Sequence, residues 1–312
     1  MIFNESFLLQ IQEAIDNKDI DFFKRHIRSK GLRTRKKRVV RSALMVSAHK
    51  AKHLNKLDEL EADIAIINLE DGVAPEFKEV ALYASMLFIS HYDTDGPLAV
   101  VRINPLNESG LKEIESLNSV SPDGIRIPKV RSIADIQEAR RLIAHGIDLH
   151  ISVETKEAFR DLHSFQGNCI KACYLGILDL LSDLNLPHGI LRVSNPTIDY
   201  ILCKFLIDAK GIGALPISFV FQDYKNLDEF RKWCTYEKSL GYEAKGCISP
   251  KQVEIANLIF DRSKELDRAR YIVARFEEMT KRGITGFSDE KYGFIDEPIY
   301  KDALNTLRRF GG

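Results

Sequence analysis

Two acids and one arginine stand where short apolar runs of this chain stop. Arg102 closes Val100-Val101, Glu154 closes Ile151-Ser152-Val153, and Asp179 follows Leu175-Gly176-Ile177-Leu178. Glu70 and Asp71 come just after Ala62-Asp63-Ile64-Ala65-Ile66-Ile67, and Lys129 follows Ile127-Pro128. A buried charge is costly unless it is paired or bound to a cation, so acids at the ends of core strands are candidates for a task. If Glu154 and Asp179 end adjacent strands, about 4.8 Å apart, both carboxylates can reach one magnesium or manganese ion, with water or substrate oxygens completing the shell. Each acid alone could instead cap the helix that follows it. The guanidinium of Arg102 suits a carboxylate or a developing enolate oxygen, and it could also pair with Glu70 or Asp71. A lysine inside a barrel, as Lys129 would be, can form a Schiff base. With acids around it, the favoured reading is a protonated electrostatic partner.

The elements that must position these groups follow a rhythm. Apolar, β-rich runs occupy 41–47, 63–69, 98–103, 124–130, 149–154, 171–178, 217–221 and 244–249. Helical periodicity lies between most of them, at 76–89, 132–143, 156–165, 196–209, 227–240 and 250–260. Eight strands alternating with helices predict an α/β (β/α)8 TIM barrel, whose reacting groups stand at the carboxyl ends of its strands. A doubly wound sheet is the rival, but it usually places glycines after its first strand. Here that turn reads Ser47-Ala48-His49-Lys50. Residues 4–28 read as one amphipathic helical segment, followed by a basic stretch with Lys30, Arg33, Arg35, Lys36, Lys37, Arg38 and Arg41. That stretch is either a solvated face or a grip for phosphates at the barrel mouth, with Arg41 the nearest contact. Beyond the eighth unit, 264–281 reads as a helix, 282–297 as irregular and the stretch from Pro298 as a last helix. The division expected is an extension at 1–38, a catalytic barrel at 39–262 and a helical C-terminal segment at 263–312.

Composition narrows the class. Lys plus Arg and Asp plus Glu are both 45, so the net charge is zero, which argues against a dedicated nucleic-acid binder. No apolar stretch has the length of a membrane span, and the first residues do not read as a signal peptide. The expectation is a cytoplasmic protein without membrane or nucleic-acid partners. Cys169, Cys173, Cys203, Cys234 and Cys247 read as free buried thiols of a reducing compartment. His49 and His53 stand at i, i+4 but lack a third metal ligand.

Several segments together resemble a known family. They are Arg41-Ser42-Ala43-Leu44-Met45-Val46, Asn68-Leu69-Glu70-Asp71-Gly72-Val73, Arg-Ile-Asn-Pro at 102–105, Pro-Lys-Val at 128–130, Glu154, Gly-Ile-Leu-Asp at 176–179 and Lys-Gly-Cys-Ile-Ser-Pro at 245–250. Their order and spacing, over roughly residues 38–310, are similar to the citrate lyase beta-subunit-like proteins of the HpcH/HpaI aldolase superfamily, which also holds the malyl-CoA lyases. The resemblance implies a TIM barrel with Mg2+ held by Glu154 and Asp179. It implies Arg102 as substrate binder, and the substrate-binding set expected is Arg41, Glu70, Asp71, Arg102, Lys129 and Gly176. It further implies coenzyme A or an acyl-carrier group as the thioester. Gly293-Phe294-Ile295-Asp296-Glu297-Pro298 resembles a C-terminal motif of longer members, in which the aspartate is an acid/base. That reading makes Asp296 catalytic with Arg102, in a homo-oligomer (trimer or hexamer) whose tail completes a neighbour's site. Asn68, Ser47-Ala48 and Ser249 depart from the family pattern, which has Asp, Pro-Gly and His there.

The resulting expectation is a Mg2+-dependent carbon–carbon lyase that splits or forms a β-hydroxyacyl thioester, giving a 2-oxo acid and an acyl thioester. Aldol chemistry without a thioester and a catalytically silent thioester- or partner-binding relative are the alternatives.

Overall fold

Short runs of Val, Ile and Ala suit a pleated surface buried on both faces, and eight of them here become parallel strands. The computed structural model describes residues 1–31, 39–93 and 95–311. Helices α1 (Glu5–Asp16) and α2 (Ile20–His26) come first. Then follow β1 (Ser42–Ser47), α3 (Ala51–Leu54), β2 (Ile64–Asn68), α4 (Lys78–His91), β3 (Leu98–Arg102) and α5 (Leu111–Asn118). The chain continues through β4 (Gly124–Ile127), α6 (Ile133–Leu142), β5 (Asp148–Val153), α7 (Lys156–Asp161), β6 (Ile170–Leu175) and α8 (Ile177–Asp183). It goes on with α9 (Pro196–Gly211), β7 (Leu215–Ser218), α10 (Leu227–Leu240), β8 (Ala244–Cys247) and α11 (Pro250–Ile259). β1 pairs with both β2 and β8, so the sheet closes into a (β/α)8 TIM barrel.

Strand alternation decides what faces the barrel axis. Ala43, Ile64, Ile66, Val100, Ala172, Tyr174, Ile217 and Ala244 form one interior cluster. Ile64 and Ile66 therefore put Asn68 in the same inward row of β2, and Val100 does the same for Arg102 on β3. The room for polar groups comes from small neighbours. A Cβ at Gly124 would lie 3.2 Å from His150 Nε2, and His150 Nδ1 meets the Tyr174 hydroxyl at 3.0 Å.

The helical segment expected over 4–28 consists of two helices: Lys18 takes φ 55 between them, and Asp19 accepts from Phe22 N to start α2. The run read as a strand over 171–178 stops at Leu175, because Ile177 and Leu178 are apolar residues of α8, not of the sheet. Cys173, Cys234 and Cys247 are buried, but Cys169 is exposed, so the expectation of buried thiols fails there. Arg33, Arg35, Lys36, Lys37 and Arg38 lie outside the described residues.

The contacts divide the described residues into two units, one ending at Ile259 and another beginning at Phe260. The second contains α12 (Ser263–Thr280), a hairpin of β9 (Phe287–Asp289) and β10 (Gly293–Ile295), and α13 (Glu297–Phe310). The hairpin replaces part of the irregular stretch expected from the sequence, and Gly293 enters it at φ 74. Ala269, Ile272, Phe276, Ile295 and Ala303 form this unit's own core. No helix among the described residues is long and apolar enough to cross a membrane.

Candidate active site at the strand ends

Arg102 ends β3 facing inward, and its side chain is only 6% exposed. Its Nη2 contacts Glu70 Oε2 and lies 3.1 Å from Asp71 Oδ2 and 3.8 Å from Glu154 Oε2. Its Nε is buried without a hydrogen-bond acceptor among the described residues. A buried donor left unpaired is costly, so this atom is poised for an acceptor that the described residues do not supply. Burial pushes the Glu70 carboxyl up, against the pull of Arg102. Lys129 Nζ is 3.1 Å from Glu70 Oε1.

Lys129 is not inside the barrel. It sits in the loop after β4 at φ 50, with a half-exposed side chain, and its backbone N–H donates to Glu154 Oε1 at 2.7 Å. The Glu70 carboxylate, a hydrogen-bond partner, raises the pKa of its amine. That is the protonated partner rather than the free amine a Schiff base needs.

Neither candidate metal ligand caps its helix. Thr155 caps α7, accepting from Ala158 N, and Asp179 lies inside the first turn of α8. Burial raises the pKa of the Asp179 carboxyl, and Glu154 and Asp71 push it the same way, while Arg102 and Lys129 oppose them. Glu154 reaches the rim through space that Gly176 leaves open: a Cβ at 176 would sit 2.6 Å from Glu154 Oε2. No group of three or more His, Cys, Asp or Glu side chains able to hold a metal occurs among the described residues. Two hard carboxylates amid surplus negative charge still fit magnesium, which keeps several waters when bound. His49 Nδ1 lies 3.2 Å from Ser47 Oγ, and no third ligand joins His49 and His53.

The loops carrying these groups are stitched together. Leu69 N donates to Arg102 O at 2.9 Å and Gly176 N to Val153 O at 3.0 Å. The buried Glu113 carboxylate accepts from Asn104 N at 2.8 Å and from Asn104 Nδ2 at 2.6 Å. Asn68 accepts from Glu70 N and donates to Asp71 O, shaping the acidic turn. Ser249 Oγ accepts from Gln252 N at 3.3 Å, at the start of α11.

One expected member of the barrel stands away from the rim, and another belongs to the second unit. Arg41 precedes β1, at the amino ends of the strands, and its Nε and Nη2 meet the Asp63 carboxylate at 3.1 and 3.2 Å. It does not join the rim cluster. Asp296 belongs to the second unit, where its carboxylate caps α13 by accepting from Ile299 N at 3.2 Å.

The sequence reading missed Arg126. It stands beside Arg102 in register, is 6% exposed, donates from Nε to Ser152 Oγ at 2.9 Å, and stacks 4.1 Å above the Tyr174 ring. Burial, then the charge of Arg102, pushes it down to about 10. A charge inside the apolar run Ile125-Arg126-Ile127 was the available signal.

A family model for HpcH/HpaI aldolase/citrate lyase matches residues 41–250. The chain belongs to this family. Among HpcH/HpaI relatives, a (3S)-malyl-CoA thioesterase of Cereibacter sphaeroides is 27% identical over 246 residues, covering 78% of this chain and 85% of that one. The mitochondrial citramalyl-CoA lyase of Homo sapiens is 26% identical, covering 86% and 84%. The citrate lyase subunit beta of Escherichia coli K12 is 24% identical, covering 90% and 96%. Among solved structures, a citrate lyase from Burkholderia xenovorans LB400 superposes with a TM-score of 0.72 at 17% identity, covering 90% and 93%. The protein CitE from Mycobacterium tuberculosis, in complex with magnesium, acetoacetate and coenzyme A, gives 0.66 at 22%, covering 88% and 99%. These likenesses support the HpcH/HpaI barrel.

Proposed function

We propose that this chain is a cytoplasmic, magnesium-dependent carbon–carbon lyase that splits a β-hydroxyacyl thioester into a 2-oxo acid and an acyl thioester, or runs the reverse. The observation that carries this reading is the Arg102 side chain, gripped at Nη2 by Glu70 and Asp71 while its buried Nε has no acceptor, beside the Glu154 carboxylate. Relatives named as citrate lyase subunit beta and citramalyl-CoA lyase point the same way.

Glu154 and Asp179 would hold the magnesium. When bound, the ion supplies a Lewis acid for the carbonyl and carboxylate of the 2-oxo acid. Asp296, as acid/base, would take the β-hydroxyl proton. The hydroxyl oxygen becomes the 2-oxo carbonyl, the C–C bond breaks, and its electron pair moves onto the acyl thioester, whose carbonyl oxygen becomes an enolate oxygen. The open side of Arg102 faces that developing charge, and Glu70 and Asp71 hold the guanidinium so that it need not reorganise. Lys129 balances the acidic turn. Asp296 then gives a proton to the enolate carbon, which requires a carboxylate close to it. In a homo-oligomer, a trimer or hexamer, the C-terminal unit of one subunit would bring Asp296 to its neighbour. The thioester carrier would be coenzyme A or an acyl carrier protein.

The (3S)-malyl-CoA thioesterase relatives favour a second reading, hydrolysis of the thioester itself. Manganese affinity tests the metal assignment, which predicts a loss of tenfold or more in Asp179→Ala; unchanged affinity would remove Asp179 from the site. Mixing Asp296→Asn with Arg102→Ala subunits tests the tail. Recovered activity places Asp296 in a neighbour's site, and no recovery despite subunit exchange rules that out.

A further inference from the structure

The N-terminal helices line a half-open cavity, of about 590 Å3, whose lining includes Phe3, Phe7, Arg25, His26, Arg28 and His91. His91 is the last residue of α4. Barrel helices run antiparallel to their strands, so this end of α4 lies by the strands' amino ends, across the barrel from Arg102 and Glu154.

Its walls are preformed. Phe3 N donates to Asn55 Oδ1 at 2.7 Å and Asn55 Nδ2 donates back to Phe3 O at 2.9 Å. The Phe3 ring packs against Phe88 and His91, with centroids 5.2 and 4.9 Å away, and Phe7 packs against His26 at 5.2 Å. The imidazoles are oriented as well. His26 Nδ1 lies 2.7 Å from Phe22 O, and His91 Nδ1 lies 3.0 Å from Leu87 O. A carbonyl only accepts, so a hydrogen on Nδ1 suits both rings, although the Ser90 hydroxyl also lies 3.0 Å from His91 Nδ1. Each Nε2 is then a lone-pair acceptor in the neutral ring and a second donor in the protonated one. Arg25 and Arg28 pair with no carboxylate among the described residues. The acid nearest in sequence to His91, Asp93, is taken by Lys30 at 2.6 Å.

Two unpaired guanidinium groups select an anion. Two imidazoles with open Nε2 atoms select one that can also give or share a proton. A phosphate monoester does both, because its second pKa of about 6 lets it carry a hydroxyl or hand that proton to the ring. A carboxylate at neutral pH has no hydrogen to give. The Phe3 and Phe7 rings supply a surface for a flat body beside the phosphate.

We propose that this cavity is a binding site for an aromatic phosphate monoester, with the phosphate on Arg25, Arg28 and the Nε2 atoms of His26 and His91, and the ring against Phe3 and Phe7. It is separate from the lyase site and does not depend on that assignment.

Phenyl phosphate titrated into the full chain, followed by the NMR signals of the His26 and His91 rings, tests this. The expected result is a saturable shift of both rings, with affinity about tenfold or more above that of inorganic phosphate and of benzoate. Losing its charge-assisted hydrogen bonds to the phosphate should weaken binding at least tenfold in Arg25→Gln/Arg28→Gln. Both arginines are exposed, so the double variant should keep the wild-type melting temperature and basal turnover. Phe3→Leu should erase the advantage over inorganic phosphate. No saturable shift at either ring, or unchanged affinity in the double variant, overturns the site; equal affinity for inorganic phosphate overturns its aromatic half.

Discussion

Glu154 fills the place where residue 176 would carry a side chain: a Cβ there would lie 2.5 Å from Glu154 Cβ and 2.6 Å from its Oε2. Real Cβ atoms do not approach that closely, so Gly176→Ala must push the carboxylate off its position. The variant should lose at least tenfold in magnesium or manganese affinity, while its fold survives with a melting temperature a few degrees lower. Calorimetric metal titration beside thermal melting separates the two effects. Unchanged metal affinity would mean that Glu154 is not a ligand.

Arg102→Lys keeps the charge but not the fork. An ammonium cannot hold Glu70 and Asp71 while presenting a second donor to substrate. Turnover should fall about 10²–10³-fold, the usual effect of removing a donor to a developing oxyanion. Steady-state kinetics checks this, and near-wild-type kcat would reduce Arg102 to a structural partner of the acidic turn.

Arg126 is charged, buried and held by a hydroxyl and an aromatic face rather than by a carboxylate. Replacing a desolvated charge by an apolar chain of similar length is often neutral or stabilising. Arg126→Met should therefore keep or raise the melting temperature while lowering kcat tenfold or more, as Glu154 and Arg102 lose their neighbour. Loss of both stability and activity would show Arg126 to be a structural element only.

The ends of the apolar runs are legible in the sequence, and they put Arg102, Glu70, Asp71 and Glu154 at one rim. What was not legible has local causes. Ile177 and Leu178 continue the apolar run of β6, so periodicity alone hid the start of α8 and made Asp179 look like a residue after a strand. Nearness to β1 suggests Arg41 for the barrel mouth, but a residue that precedes a strand lies at the amino ends, opposite the rim. Arg126 does not end its apolar run but interrupts it, so a search of run ends does not find it, although its place beside Arg102 brings it to the rim.

His150 gives the fold a pH signature. Burial, then the nearby Arg126 charge, pushes its imidazole down to about 3 from an ordinary 6.5. The unfolded chain takes up this proton first, so stability is unaffected above pH 6.5 and is lost as pH falls from there toward 3. The slope from this one group is about 1.4 kcal/mol per pH unit. Urea unfolding across that range should show a flatter pH dependence in His150→Asn, and an unchanged slope would mean that another group is responsible.

Product analysis tests the central claim most directly. Purified protein is given β-hydroxyacyl thioesters such as malyl-, citramalyl- and citryl-CoA, with magnesium or with a chelator, and 2-oxo acid and free thiol are followed together. The account predicts magnesium-dependent release of a 2-oxo acid with an equal amount of acyl-CoA and no free thiol. Free coenzyme A appearing without 2-oxo acid would make the chain a thioesterase, and turnover unaffected by the chelator would contradict the metal's role.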